Sequence, residues 1–138
     1  MRKITTILAA VILLITLAGC GGSKSAADGP VDVDLTTLSS TMVYSEVFNM
    51  VNEPEDYIGK TVKMNGAAAS YYDEAVKETY YACIIQDATA CCAQGIEYVL
   101  DGAEYPADGE EITVVGEFRT YETADGTSYC TLEGAELL

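Results

Sequence analysis

The 138-residue sequence predicts one mainly β domain, a small five-stranded Greek-key barrel with one N-terminal helix, set behind a signal peptide and a flexible tether. Three observations carry this reading. Only one stretch, Thr41 to Asn52, has the 3.6-residue apolar period of a helix. Everything after Gly59 falls into five segments with strand character, separated by turn residues. Two of those segments echo each other at an offset of fifty residues, each with a glycine inside its alternation.

Residues 1–19 open the chain. Arg2 and Lys3 precede an apolar run from Ile4 to Leu17, about 14 residues, which is too short to cross a hydrocarbon core of about 30 Å. Small residues follow, as at a secretory cleavage site. The string Leu17-Ala18-Gly19-Cys20 resembles the bacterial lipobox. That resemblance implies cleavage before Cys20, a thioether from Cys20 to diacylglycerol with palmitate-type acyl chains, and an extracytoplasmic protein held at the cell surface by lipid.

Residues 20–34 are small, polar and acidic, without an apolar period, and read as a lipidated flexible tether. The domain is expected over 35–138. Without the signal, five basic residues (Lys24, Lys60, Lys63, Lys77 and Arg119) face 22 acidic ones, a net charge of −17. That excludes nucleic acid as a partner, because phosphate binding needs Lys and Arg to displace counterions. Histidine is absent, which excludes Ser-His-Asp and Cys-His catalysis and leaves any zinc site to cysteine and carboxylate.

In the helix, Val43, Tyr44, Val47, Phe48 and Val51 are spaced to form its apolar face. Ser39, Ser40 or Thr41 caps it, and Pro54 closes it. Gly59 permits the turn into the first strand, Thr61 to Tyr72, with Val62, Met64, Gly66 and Ala68 on one face. The second strand, Thr79 to Gln86, is apolar on both faces, so cover is expected on both. Ile96 to Leu100 is the third. The fourth, Ile112 to Tyr121, alternates again through Val114, Gly116 and Phe118. A turn at Ala124-Asp125-Gly126 leads to the fifth, Ser128 to Leu132. The echo aligns Val62-Lys-Met64-Asn-Gly66 with Ile112-Thr-Val114-Val-Gly116. A glycine inside a long strand marks a bulge or a sharp coil, which a small closed barrel requires.

Five strands with bent first and fourth members match the OB-fold. The run Pro54-Glu-Asp-Tyr57-Ile-Gly59-Lys60-Thr-Val62-Lys-Met-Asn-Gly66 resembles the opening segment of tRNA-anti-like OB-fold families and their extracytoplasmic relatives. The stretch from Gln86 to Glu97, with Cys91-Cys92, is similar to a Cys-Cys-containing family of Gram-positive surface lipoproteins. It is more faintly similar to a permease-associated family. Neither resemblance brings catalytic residues, and the chain lacks the basic groove of the nucleic-acid binders.

Four cysteines beyond Cys20 are the soft ligands: Cys83, Cys91, Cys92 and Cys130. They fit core thiols, one or two disulfides, or a zinc site completed by a carboxylate such as Asp87, and spacing does not choose among these. At least two are expected close together, one of them Cys91 or Cys92. Thiol-redox chemistry lacks its Cys-x-x-Cys. Tyrosines crowd the strands, and OB-folds stack flat ligands across strands two and three. Tyr80 and Tyr98 are the candidate ligand-stacking residues, whereas Tyr71 and Tyr121, matched in the echo, read as structural. The acidic clusters at strand ends lack EF-hand spacing. The expected function is a non-catalytic, membrane-anchored binding module for a small ligand, metal ion or partner protein. The alternative is a zinc-handling lipoprotein serving a membrane transporter or envelope protein, and a thiol-redox protein comes third.

Overall fold

Period-2 alternation organises almost everything in the computed structural model, which describes residues 26–86, 89 and 92–138. The expected signal peptide, the lipidation site Cys20, Asp87 and Cys91 lie outside the described residues. Six strands form one mixed sheet: Val33–Asp34 (β1), Thr61–Asp73 (β2), Glu78–Gln86 (β3), Ala93–Leu100 (β4), Glu111–Glu122 (β5) and Ser128–Leu137 (β6). The one α-helix among the described residues, Ser40–Asn52 (α1), lies between β1 and β2 in sequence. The strand order is β1-β2-β3-β4-β6-β5, and β2 also pairs with β5. All pairings are antiparallel except β1 with β2 and β4 with β6.

β2 changes partners along its length. Residues Thr61 to Ala67 pair with β5, and Ala67 to Asp73 pair with β3. Ala67 pairs with both Ile84 and Glu111, so β3 and β5 flank β2 on opposite sides. Gly66 stands at this handover. A Cβ there would lie 2.5 Å from the Ile84 carbonyl oxygen and 2.8 Å from the Cys83 sulfur, so only glycine allows the strands to close up.

The edge that β3 leaves beside the first half of β2 is filled by β1. This corrects the expected tether over 20–34, because Val33 pairs with Val62 and Asp34 with Lys63. The Asp32 amide donates to the Thr61 carbonyl, and the Thr61 amide donates to the Asp32 carboxylate, both at 2.9 Å. Open backbone groups on an edge are reason enough for a short polar segment to join the sheet. The sheet therefore has six strands, not five.

The core is the inward face of the alternation. Val62, Met64, Cys83, Ile96, Tyr98, Val114, Phe118 and Leu132 are buried there, with Leu35, Val47 and Met50 closing it from the helical side. The helix is rotated from the expected face. Val43, Tyr44, Val47 and Met50 point inward, whereas Phe48 and Val51 are exposed. Ser39 occupies the N-cap position without a side-chain cap bond. Tyr57 fastens the turn after α1, donating to Glu46 at 2.8 Å and meeting the Phe118 ring edge-on at 6.0 Å.

β6 continues five residues past the expected end at Leu132. Gly134 takes a φ of +56°, and the β5–β6 register shifts by one residue around it, a bulge after which Ala135 is buried again. Gly134 is thus a bend inside the strand.

Candidate functional site

The inward turn of Cys83, Ile96, Tyr98 and Leu132 sends their neighbours to the opposite face, and there the tyrosines gather. Register places Tyr71 opposite Tyr80, Tyr121 opposite Tyr129, and Glu97 opposite both Ala82 and Thr131. Tyr71 and Asp73 from β2, Tyr80 from β3, Glu97 from β4, Tyr121 from β5 and Tyr129 from β6 line a cleft of about 60 Å³, which Thr123 completes. All five long strands contribute to it.

Tyr121 is its centre. The ring stacks toward Tyr80 with centroids 6.5 Å apart and planes 5° off parallel, and toward Tyr129 at 5.6 Å and 21°. Its hydroxyl donates to Glu97 at 2.6 Å. Burial raises the Glu97 carboxyl above its ordinary range, and the bond from Tyr121 opposes that rise. Burial, then the same bond, holds the Tyr121 phenol well above 10. The pair is thus an ordinary phenol donating to a carboxylate, with no tendency to exchange the proton near neutrality. Thr131, opposite Glu97, is 4% exposed, and its hydroxyl has no partner among the described residues.

Two short loops rim the cleft, and each is pinned by its own aspartate. After β2, the Asp73 carboxylate accepts the Ala75 amide at 2.7 Å, and Lys77 takes a φ of +60°. After β5, Asp125 accepts the Thr123 hydroxyl at 2.6 Å and the Thr127 amide at 3.1 Å, with Gly126 at φ +84°. Those bonds, the Thr123 hydroxyl first, hold the Asp125 carboxyl below its ordinary value. Such Asx turns are stiff local structures.

The expected ligand-stacking pair divides. Tyr80 lines the cleft. Tyr98 is a correction: it is 1% exposed, inside the core, and tilts against Tyr105 at 5.8 Å. Alternation along β4 puts Glu97 outward and Tyr98 inward, so the neighbour of the expected residue faces the site. Tyr121, read from sequence as structural, is the residue around which the cleft is built. A cross-strand count of outward tyrosines could have found it, once the β5–β6 register was known.

The cysteines are placed differently from one another. Cys83 is in the core, where burial pushes its thiol up to about 12. Cys130 is half-buried, donates weakly to the Met50 carbonyl at 3.8 Å, and is raised by burial and then by Glu97. Neither is in a disulfide. Cys92 is exposed. Among the described residues no three His, Cys, Asp or Glu side chains gather as metal ligands.

A second, larger concavity of about 500 Å³ lies between the Leu35–Ser40 segment and the β2–β3 handover, walled by Leu38, Val43, Ala67 and Ile84. It is more capacious, but no aromatic residue lines it and Glu111 is its one ionisable group. The tyrosine cleft has the stronger chemistry. No family model matches the sequence, and no curated protein matches it.

Proposed function

We propose that the chain is a lipid-anchored, extracytoplasmic binding module, non-catalytic, whose OB-like barrel presents the tyrosine cleft to its ligand. The observation that carries this is the convergence of four tyrosines and two carboxylates from all five long strands on one concave spot. Support for the barrel comes from the pairing order: an antiparallel β2-β3-β4 run, a parallel β4–β6 pairing, and β5 returning to β2. OB-folds bind along the face bounded by their first and fourth loops. Here those positions correspond to residues 74–77 and 123–127, the two rims of the cleft.

Anchoring rests on the Leu17-Ala18-Gly19-Cys20 string. Among the described residues no helix is long and apolar enough to cross a membrane. The acidic balance and the absence of Lys and Arg from the cleft lining argue against nucleic acid as the ligand.

The test uses the full chain in non-ionic detergent with ¹³C-labelled tyrosine rings. It is titrated with a panel of neutral sugars, aromatic acids and alkylammonium compounds. At least one class is expected to shift Tyr71, Tyr80, Tyr121 and Tyr129 together while leaving Tyr57 and Tyr98 in place. Panel members that bind only along the Leu38–Ile84 groove, or a panel without binders, would overturn the reading.

A further inference from the structure

We infer that the tyrosine cleft is a cage for a small organic cation, with a methylated ammonium group as the head that enters it. This inference rests on the binding-face reading above and names the chemistry of its ligand.

The rings are the first reason. Tyr121 stacks nearly parallel to Tyr80 and to Tyr129, which makes an aromatic wall, and the 67%-exposed Tyr71 stands at its edge. Aromatic faces carry negative charge density and attract a cation held within about 6 Å of the ring centre.

Charge is the second. Asp73 and Glu97 line the cleft, and Glu78 holds the Tyr80 hydroxyl at 3.3 Å beside it. No basic residue lines it. The nearest arginine on that face of β5, Arg119, is turned to Glu117 at 2.5 Å. The cleft is therefore negative in both its rings and its carboxylates.

Size and hydration select among cations. The cleft is small, about 60 Å³, so it suits a compact head group with the rest of a ligand left at its rim. Calcium is held by six to eight oxygen ligands, and the cleft offers two carboxylates. A methylated ammonium is weakly hydrated and gains by laying its methyls on the rings.

Choline and its uncharged carbon isostere, 3,3-dimethylbutan-1-ol, separate charge from shape in the same tyrosine-ring titration of the full chain. Choline is expected to shift Tyr80, Tyr121 and Tyr129 saturably, and the isostere to bind at least tenfold more weakly. Tyr121→Leu and Glu97→Gln are each expected to weaken choline at least tenfold, with unchanged Tyr57 and Tyr98 signals showing that the variants are folded. Equal binding of choline and its isostere overturns the cation inference and leaves the binding face standing, as does a cleft that takes another panel class and refuses choline. Choline binding that ignores both substitutions places the site elsewhere and overturns it too. If no panel member binds, both readings fail together.

Discussion

Met64 and Val114 stand directly opposite each other in the β2–β5 ladder, and they are also equivalent positions of the fifty-residue echo. The echoed segments therefore pair with each other about a local two-fold axis. Gly66 falls opposite Ile112, and Gly116 opposite Val62, so each copy's glycine faces the other copy's first core residue.

The glycines then differ in what they touch, which ranks their substitutions. A Cβ at Gly66 would meet the Ile84 backbone at 2.5 Å, and one at Gly116 would meet the Leu132 Cβ at 2.9 Å and the Ala135 Cα at 3.2 Å. At Gly95 the closest atom is the flexible tip of Ile84. Gly66→Ala and Gly116→Ala are expected to cost about 2–4 kcal/mol each, and Gly95→Ala about 1 kcal/mol or less. Denaturant melts of the three variants check the order, and an undisturbed Gly66→Ala would contradict the close approach.

Tyr98 carries a buried hydroxyl with no partner among the described residues. An unmet polar group in a core is a standing penalty of about 1–3 kcal/mol. Tyr98→Phe keeps the ring and removes that penalty, so its melting temperature is expected to rise. A loss above about 1 kcal/mol would show that the hydroxyl is bonded in solution.

Alkaline stability follows from Tyr57. Burial first, then the bond to Glu46, pushes this phenol up to about 12 from 10.0. A raised phenol contributes stability that is complete below the unfolded value and lost as pH climbs through the folded one. The window is therefore pH 10 to 12. Tyr98, also pushed up to about 12 by burial, acts in the same sense. Tyr57→Phe is expected to lose less stability than the parent between pH 10.0 and about 12, as read from urea midpoints. An equal loss would unlink Tyr57 from the transition.

Cys83 and Cys130 should separate by reactivity. The thiolate is the nucleophile, and burial holds Cys83 at about 12. Brief treatment of the native protein with a maleimide near pH 8, followed by peptide mass mapping, is expected to leave Cys83 unmodified. The half-buried Cys130 should be modified slowly, and both fully after unfolding. Native labelling of Cys83 at the unfolded rate would mean that β3 opens readily.

Much of the fold was legible because alternation and punctuation are local. Val62, Met64, Val114 and Phe118 announce their burial by period alone, and the 124–126 turn by its Asp-Gly. The two mid-strand glycines could be flagged as special before any contact was known. The helix was legible in position and not in rotation, because Met50 and Phe48 are both apolar and only the packed core chooses between them. Val33–Asp34 could not be read as a strand, since its pairing depends on an edge that exists only after β3 and β5 have taken their sides of β2.

The site lies on the far side of the same divide. By itself the sequence determined a surplus of tyrosines and acids, and the alternation that must turn one of Glu97 and Tyr98 outward and the other inward. Tertiary structure alone decided which: the β3–β4 and β4–β6 registers put Ile96 and Tyr98 into the core and Glu97 under the Tyr121 hydroxyl. Residues 71, 80, 97, 121 and 129 are scattered through the chain, and apart from the fifty-residue echo that matches 71 with 121 nothing in their spacing relates them. They meet because ladder hydrogen bonds fix the register between strands remote in sequence, and a one-residue slip in any ladder would send its side chain to the opposite face.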